Sequence, residues 1–363
     1  MRSYLDLSKD EVAHAMALHK ESYVVDASLV AYLDYVGEDI WVDDMIRGGL
    51  TASNATVAMQ NSLTEALNEL NQYHSWAEKT KDKVLIVRKA DDIKRAKREG
   101  KHGVIFGPQD SSFLEGNLNF LKIAYDWGIR VIQLTYNNRN AAGDGCKERC
   151  NAGLSNFGVS LVEEMNILGV LIDLSHSGDQ TSMEAIEASK DPVAFTHIIP
   201  RASTPRELSD WAKWNNRHTF YGEFTAYSLQ RAKTDEAMKA CADKGGVIGI
   251  TPYFAKKPGN SKLTDDIIDQ IEYAVDLVGA EHVGFGSDVD YNSTLDRMAY
   301  IQKYQETVDV TYFSALDKDW GYGWLGYMPN LTKGLVSRGY SDKEINGILG
   351  GNWVRLFERV WRG

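Results

Sequence analysis

The chain has 363 residues, of which 43% are hydrophobic and 25% are charged, the balance of a folded globular protein rather than a disordered one. Its 51 acidic residues outnumber the 40 basic ones, and the net charge of −11 leaves no basic field to attract a nucleic-acid backbone. No apolar run approaches the ~18 residues of a membrane-spanning helix. An acidic globular enzyme is the class that these exclusions favour.

The start of the sequence and its cysteines indicate a cytoplasmic protein. Four charged residues between Asp6 and Glu11 interrupt the first twenty residues, so no apolar core of a secretory signal is expected there. The cysteines are odd in number and too few for a disulfide framework. They are Cys146, Cys150 and Cys241.

Eight short runs of apolar and β-branched residues recur along the chain, and they are typical of strands buried on both faces. The predicted strands are Tyr23–Ala27, Leu50–Ala58, Val104–Gly107, Val131–Thr135, Val170–Leu174, Val193–Thr196, Val247–Thr251 and Val283–Gly286. One further run, Val84–Val87, fits an accessory strand.

Helical patterns fill the intervals between these strands. Residues 117–128, 157–169 and 265–279 each place apolar side chains at helical spacing and end in a glycine. Eight strands alternating with helices predict an α/β fold, a closed (β/α)8 TIM-type barrel, rather than an open doubly wound sheet. Because no repeat or linker interrupts the pattern, we expect one domain over residues 1–363.

Polar side chains follow five of the predicted strands: Gln109, Tyr136, His176, His197 and Asp288. In a (β/α)8 barrel the carboxyl ends of the strands form the active-site face. Either imidazole alone could be a buried structural histidine, but two of them on adjacent strands could ligate a divalent transition metal. Asp288 is the natural carboxylate to polarise water or move a proton.

The loop GDGCKERCNAG after the fourth strand adds three candidates. Cys146 and Cys150 are spaced for metal binding or for a disulfide under oxidation, but without a second cysteine pair a structural or incidental role is favoured. Glu148 could donate a carboxylate to a metal or a substrate, and it could equally be a solvated loop charge.

Several segments together resemble the membrane (renal) dipeptidase family of metal-dependent peptidases. They are LTYNNRNAAGDG at 134–145, GLSNFGVSLVEEMNILGVLIDLSHSG at 153–178, PVAFTH at 192–197, DEAMKACADKGGVIGIT at 235–251, EHVGFGSDVD at 281–290 and NLTKGLVSRGYSDKEINGILGGNWVRLF at 330–357. The resemblance covers nearly the whole chain in order. It implies an amidohydrolase-like (β/α)8 barrel that hydrolyses dipeptides with two zinc ions bridged by a glutamate.

The same resemblance marks where this chain departs from the family. The family's first strand ends in Asp-Gly-His-x-Asp, whose histidine and last aspartate bind one metal, and here VVDASLV places Ser28 and Val30 at those positions. Gln109 stands where the bridging glutamate is expected, and Tyr136 stands where a histidine contacts the substrate. Two negative charges are therefore missing from the expected metal cluster.

Other family positions are retained. His176 and His197 match the two histidines of the second metal site, and Asp288 matches the catalytic carboxylate. The nearest match to the arginine that binds the substrate carboxylate is Arg231, although Ala232 follows it instead of asparagine. An aromatic insertion around residues 205–230, including DWAKWNNRHTFYGEF at 210–224, could be a lid, a dimer contact or a helical excursion packed on the barrel.

These residues predict a mononuclear metal-dependent hydrolase of a dipeptide or other small amide. His176 and His197 would hold one divalent metal, with zinc expected from the donor set and Gln109, Glu148 or Asp288 completing the shell. Asp288 would act as general base and Tyr136 would donate to the oxyanion, while Arg231 and Gln109 would bind the substrate.

Two alternatives remain open at this point. A lyase or other amidohydrolase-like enzyme could act on a modified amino acid at the altered site. A catalytically inactive homologue could bind a small molecule without transforming it. Because dimers are usual in the family, a homodimer is the expected assembly in each case.

Overall fold

The computed structural model describes residues 1–30, 40–203, 230–252, 263–290 and 324–362. The aromatic segment at 210–224 lies outside the described residues, so its predicted role as an insertion is not addressed by the fold. Among the described residues, no helix has the length and apolar content needed to cross a membrane.

Within the described residues the strands are β1 Val25–Val30, β2 Ala52–Ala55, β3 Val84–Ile86, β4 His102–Phe106, β5 Val131–Gln133, β6 Leu171–Asp173, β7 Ala194–Ile198, β8 Val247–Ile250, β9 Val283–Phe285 and β10 Val289–Asp290. Each of the nine runs predicted from the sequence overlaps one of these strands. The two-residue β10 was not predicted, because nothing in so short a segment distinguishes it from a loop.

The strands pair in parallel, in the orders β10-β1-β2-β4-β3 and β5-β6-β7-β8-β9. At one seam Phe106, the last residue of β4, forms a parallel bridge with Ile129 just before β5. At the other seam the chain runs from β9 directly into β10, which pairs with β1 through Leu29 and Val289. The pairings therefore run around a ring of eight strands, when β9 and β10 are counted as one, with β3 at its side. This confirms the predicted α/β class.

Helices alternate with the strands. They are α1 Lys9–Glu21, α2 Ile40–Arg47, α3 Leu63–Lys79, α4 Ala90–Glu99, α5 Asn119–Trp127, α6 Asn156–Leu168, α7 Asp179–Ala188, α8 Asp235–Asp243, α9 Leu263–Val278, α10 Pro329–Ser337, α11 Asp342–Asn346 and α12 Asn352–Val360. Helix α6 shows why the predicted boundaries hold: the Ser155 hydroxyl accepts a hydrogen bond from the Gly158 amide, and Gly169 ends the helix in a left-handed conformation.

The last helix closes the amino-terminal end of the ring. The first residues of β1, β2 and β5–β8 share one buried apolar cluster with Trp353, Phe357 and Trp361 of the α12 region. The Trp353 indole N–H donates to the Phe285 carbonyl at 3.2 Å, and that of Trp361 donates to the Arg130 carbonyl at 3.1 Å. The amino-terminal end of the ring is filled by apolar side chains. The carboxyl end is therefore the place to look for a polar site.

Candidate active site

The carboxyl ends of β6 and β7 bring two imidazoles into contact. Nε2 of His176 lies 3.1 Å from Nε2 of His197, and the two side chains are essentially inaccessible to solvent. Burial first, and then the nearby charge of Arg231, hold the pKa of both imidazoles well below its usual value. Both rings are therefore neutral at pH 7, the form in which a histidine nitrogen binds a metal.

Two neighbours set the orientation of His176. Its Nδ1 lies 2.8 Å from the side-chain oxygen of Asn137, and because an amide oxygen only accepts, Nδ1 carries the ring proton. Nε2 of His176 is then a lone pair facing His197. The ring of Tyr136 stacks on His176 at a centroid distance of 4.1 Å and an interplanar angle of 21°.

Asp288 reaches the same point from the seam between β9 and β10. Its Oδ1 lies 3.6 Å from Nε2 of His197, and 22% of its side chain is exposed. The backbone of Asp288 is left-handed, with φ of 53°, and its amide donates to the Ser28 carbonyl at 2.8 Å. A turn that is hydrogen-bonded to β1 thus places the Asp288 carboxylate next to the imidazole pair.

Asp26 provides a second attachment between β1 and this turn. Its fully buried carboxylate accepts from the Ser287 amide at 2.7 Å and from the Ser287 hydroxyl at 2.6 Å. Burial raises the pKa of Asp26 to about 6 even though these hydrogen bonds favour the ionised form. Sequence reasoning did not single out this residue.

Gln109 belongs to a neutral polar group at the ends of β1 and β2. Its Nε2 donates to the Ser28 hydroxyl at 3.2 Å and to the Thr56 hydroxyl at 2.9 Å. Both amide hydrogens are therefore engaged, and the carbonyl oxygen is the remaining acceptor. Val30 is buried beside this region and brings no ligand atom.

Arg231 is buried against the backbone of both histidine segments. Its guanidinium donates to the Ser175 carbonyl and, at 2.7 Å, to the His197 carbonyl. Lys233, which sequence reasoning missed, is also buried and donates to the Ser177 carbonyl; burial lowers its pKa to about 7. Two basic side chains therefore lie behind the imidazole pair.

The loop after β5 packs against His176 from the other side. Cys146 donates its backbone N–H to the His176 carbonyl at 2.8 Å and its thiol lies 3.5 Å from Asn137 Oδ1, while Cys150 is exposed. Both thiols are free. The Glu148 carboxylate accepts from the Arg139 amide at 2.9 Å, so it serves the turn of its own loop.

Comparison with known proteins was made against this geometry. The sequence model described as membrane dipeptidase, peptidase family M19, matches residues 16–210 and 224–310. The chain belongs to this family. Membership confirms the family predicted from the sequence and, with it, the class of dipeptidase-like hydrolases.

Curated relatives of this chain agree with its assignment to the M19 family. A dipeptidase of Clonostachys rogersoniana is 26% identical over 84% of this chain and 67% of its own length. An uncharacterised dipeptidase of Schizosaccharomyces pombe is 31% identical over 55% of this chain, which spans 45% of that relative. The chain thus spans between about half and two thirds of these two curated relatives.

Solved structures support the fold. An amidohydrolase from Pseudomonas aeruginosa superimposes with a TM-score of 0.75 at 31% identity, covering 96% of this chain and 99% of its own. A metallopeptidase from Rhodobacter sphaeroides, bound to a phosphinate mimic of L-Ala-D-Ala, superimposes with a TM-score of 0.72 at 17% identity, covering 94% and 99%. At that identity the second match speaks for the fold alone.

M19 enzymes are metallopeptidases, so the fit of a metal to these residues matters. Within the described part of the chain, no three His, Cys, Asp or Glu side chains are grouped in an arrangement that could hold a metal. What converges is a pair of neutral imidazoles, with Asp288 3.6 Å from one of them. Neutral imidazoles are donors that divalent transition ions prefer, whereas Ser28, Val30 and Gln109 supply no anionic ligand.

Sequence reasoning found the imidazole pair but missed the residues that orient it. Asn137 holds His176, and Thr196 lies 2.7 Å from Nδ1 of His197. A signal was present, because Thr196 immediately precedes His197 in VAFTH. It could not be recognised from the sequence alone, since a β-branched residue in a strand needs no further explanation.

Proposed function

We propose that this M19 member hydrolyses a dipeptide or a similarly small amide with the help of one divalent metal ion, zinc being the best match to the donors. The observation that carries the proposal is the approach of His176 and His197 to 3.1 Å with Asp288 beside them. The neutral group around Gln109 supports one ion rather than two, because two dications in close proximity require anionic ligands between them.

His176 and His197 would hold the ion through their Nε2 atoms. A divalent ion at this position supplies Lewis-acid polarisation of the scissile carbonyl and makes a water molecule more acidic. Glu148 and Gln109 remain candidates for completing the shell, although each is hydrogen-bonded to its own neighbours in the structure.

Asp288 would take the proton from the attacking water and return it to the leaving amine. Its carboxylate is the acidic group next to the imidazole pair, and its exposed fraction lets it face a substrate at the carboxyl end of the ring. The turn fastened to Ser28 and Asp26 holds it in place. Proximity of this kind matters because misplacement of about 1 Å can cost about 100-fold in rate.

Tyr136 and two further residues would handle the rest of the substrate. The phenol of Tyr136, whose ring is held against His176, would donate to the developing oxyanion. Arg231 would bind the substrate carboxylate with guanidinium N–H groups other than the two that hold backbone carbonyls. The side-chain carbonyl of Gln109 would accept from the substrate amine.

Metal analysis combined with a panel of L,L- and L,D-dipeptides tests this function. We expect one equivalent of tightly bound metal per chain, turnover of at least one dipeptide, and loss of both in His176→Ala and His197→Ala. His282→Ala is the matched control, because that ring binds the Gly246 carbonyl away from the pair. Two equivalents of metal would refute the single ion, and full activity without metal would refute metal dependence.

The same panel distinguishes the alternatives. An enzyme that binds one ion but turns over no dipeptide, while converting a modified amino acid without adding water, would be a lyase. Ligand-induced stabilisation without chemistry, even with metal supplied, would indicate an inactive binding homologue. Either result would overturn the dipeptidase proposal.

We extend the proposal to the whole chain. It would form a single domain with an aromatic insertion around 205–230, which is supported by the family match breaking between residues 210 and 224. We propose a homodimer as the assembly, because dimers are usual in the family. We propose the cytoplasm as the location, in line with the free cysteines. Light scattering should then give about twice the chain mass of 40.6 kDa.

A further inference from the structure

A hydrogen-bonded chain of three side chains ends at Nδ1 of His197, the ring nitrogen that does not face His176. Nδ1 of His197 lies 2.7 Å from the hydroxyl of Thr196, and that hydroxyl lies 2.6 Å from Oδ2 of Asp173. Asp173 is the last residue of β6 and is 2% exposed. None of these contacts reaches solvent, so their protons must be shared among the three groups.

The other carboxylate oxygen of Asp173 is fully occupied. Its Oδ1 accepts from the Ser175 amide at 3.0 Å, from the Ser175 hydroxyl at 2.6 Å and from the Thr196 amide at 3.0 Å. Asp173 and Ala194 are partners in the register between β6 and β7. The carboxylate thus joins the two strands whose ends carry His176 and His197.

When Asp173 is ionised, the number of available protons determines the direction of each bond. A carboxylate only accepts, and a hydroxyl has one proton to give. The Thr196 proton goes to Asp173, because a short bond to a charged oxygen is the strong one. The Ser175 hydroxyl lies 2.6 Å from Asp173 Oδ1 and 3.2 Å from the Thr196 hydroxyl, so its proton goes to the nearer, charged oxygen. A lone pair of Thr196 then accepts the N–H of His197.

We propose that Asp173 is a positioning residue that acts through Thr196: it fixes His197 as the Nδ1–H tautomer and leaves the Nε2 lone pair facing His176. Asn137 imposes the same tautomer on His176. Two lone pairs that face each other at 3.1 Å cannot hydrogen-bond to one another, and the arrangement is complementary to a cation. Partners of this type commonly orient metal-binding histidines.

A rival arrangement has the opposite proton order. If Asp173 were protonated, it would donate to Thr196, Thr196 would donate to Nδ1 of His197, and Nε2–H of His197 would donate to His176. The same heavy-atom distances are compatible with that order, and it would leave no lone pair on His197 for a metal. The tautomer of His197 in the metal-free protein separates the two orders.

Nitrogen-15 NMR of histidine-labelled, metal-free protein reads the tautomer, with the His197 signals assigned by their loss in His197→Gln. We expect a proton on Nδ1 in the wild-type chain. Asp173→Asn should move it to Nε2, because the introduced amide donates to Thr196 and reverses the chain of bonds. A proton on Nε2 in the wild type, or an unchanged tautomer in Asp173→Asn, would overturn the proposal.

Zinc affinity, measured by competition with a chelator, provides the second readout and is the part that rests on the proposed metal pair. Thr196→Val and Asp173→Asn should weaken binding about 10- to 100-fold, while Thr196→Ser keeps the hydroxyl and should restore the wild-type value. The Asp173→Asn/Thr196→Val double variant should bind no more weakly than Thr196→Val alone, since valine already interrupts the chain of bonds.

The tautomer of His197 and the zinc affinity test separate parts of the proposal, so one can fail without the other. If Asp173→Asn does not fold, the Thr196 variants still test the claim, because valine keeps the size of threonine without its hydroxyl and serine keeps the hydroxyl without the methyl group. Equal affinity for those two variants would overturn the positioning role. A wild-type chain that binds no zinc, yet holds His197 as the Nδ1–H tautomer, would refute the proposed function and leave the proton order standing.

Discussion

Ser28, Val30 and Gln109 change what the carboxyl end of this barrel can bind. The family resemblance places a histidine, an aspartate and a bridging glutamate there, and this chain supplies a hydroxyl, an isopropyl group and an amide instead. The structure ties Gln109 to Ser28 through a 3.2 Å hydrogen bond, so the neutral side chains satisfy one another. A neutral group of this kind suits an uncharged part of a substrate better than a second dication.

His102, at the start of β4, makes the stability of the fold depend on pH. The ring is inaccessible to solvent, its Nδ1 lies 3.3 Å from the Leu50 carbonyl, and its Nε2 has no hydrogen-bond partner. Burial lowers the pKa of His102 to about 4, against about 6.5 in an unfolded chain. Below pH 6.5 the His102 ring therefore binds a proton in the unfolded state but not in the folded state. The free energy of unfolding falls as pH falls from about 6.5 to 4.

We expect the free energy of unfolding to fall by about 2 kcal/mol between pH 7 and pH 5 because of this group alone. Urea unfolding of the wild type and of His102→Gln at both pH values measures it, and the fall should be smaller by that amount in the variant. Asp26 acts in the opposite direction, since a raised pKa favours the folded state as pH falls. The difference between the two chains, not the wild-type curve, is therefore the test.

The exposed His14 on α1 provides the control for this experiment. His14→Gln removes an exposed ring whose Nε2 lies 2.9 Å from Oδ1 of Asp342, so it shows whether the loss of a histidine that is not buried has the same effect. Equal pH dependence in wild type and His102→Gln would show that the buried ring is protonated or relaxes without cost. That outcome would contradict the burial argument.

At the residue scale, the sequence was informative where chemistry restricts the choice of side chain. His176, His197 and Asp288 were identified because few side chains serve as metal ligands or proton carriers, and the structure brings these three together. Asp173 and Thr196 were not identified, because their importance depends on hydrogen-bond directions between two strands. No single-residue pattern in the sequence encodes such a direction.

At the scale of elements, the turn between β9 and β10 combines backbone strain with the carboxylate proposed to carry the proton. Asp288 adopts φ of 53°, a conformation that aspartate tolerates better than most residues but that glycine adopts freely. The turn is kept by bonds to β1 from the Asp288 amide and from Ser287. Strain of this type persists only where surrounding contacts enforce it, and it commonly coincides with active sites.

Three replacements at Asp288 separate the strain from the chemistry. Asp288→Gly should change the free energy of unfolding by less than about 1 kcal/mol, because the turn is relaxed while the unfolded chain gains freedom. Asp288→Val should destabilise by about 1–3 kcal/mol, since a β-branched side chain is poorly accommodated there. Both should lower kcat by about 10²- to 10⁴-fold if Asp288 carries the proton.

Thermal unfolding and dipeptide hydrolysis on the same preparations give both readouts, with Asp288→Asn as the control that keeps the side-chain shape. Asparagine should retain stability and lose activity. Full activity in Asp288→Asn would remove Asp288 from the proton-transfer role. Stability lost equally in the glycine and valine variants would show that the side chain, rather than the backbone conformation, holds the turn.

The elements themselves were predictable because burial on both faces leaves a readable pattern. Every predicted strand appears, and helices such as α6 end where a glycine permits the left-handed C-cap. The register of β10 against β1 was not predictable, since a two-residue strand has no period. The pairing of β10 with β1 helps to fix the position of Asp288. A short, irregular segment therefore determines part of the geometry of the site.

At the scale of the whole molecule, the two ends of the strand ring have different tasks. The amino-terminal end is filled by apolar residues from the strand starts together with Trp353 and its neighbours on α12. The carboxyl end holds the imidazoles, Asp288 and the neutral group around Gln109. In barrels of this type the first end maintains stability and the second carries chemistry, so damage to one should leave the other intact.

Gly284 in β9 offers a direct test of this division. A Cβ at Gly284 would overlap the indole of Trp353, whose N–H is bonded to the Phe285 carbonyl. Gly284→Ala should therefore destabilise the fold by about 1–3 kcal/mol through overpacking. Metal affinity and kcat per folded molecule should stay within about twofold of the wild type, because the clash is with Trp353 and not with a side chain proposed to bind metal or substrate.

A double variant confirms the cause of that loss. Trp353→Leu removes the indole and is destabilising by itself, but Gly284→Ala should then cost little more, so the two changes should be strongly non-additive. Urea unfolding of the four chains gives the coupling, and zinc titration of each reports on the other end. Additive losses would place the strain elsewhere, and a parallel fall in zinc affinity would mean that the two ends of the barrel are coupled rather than independent.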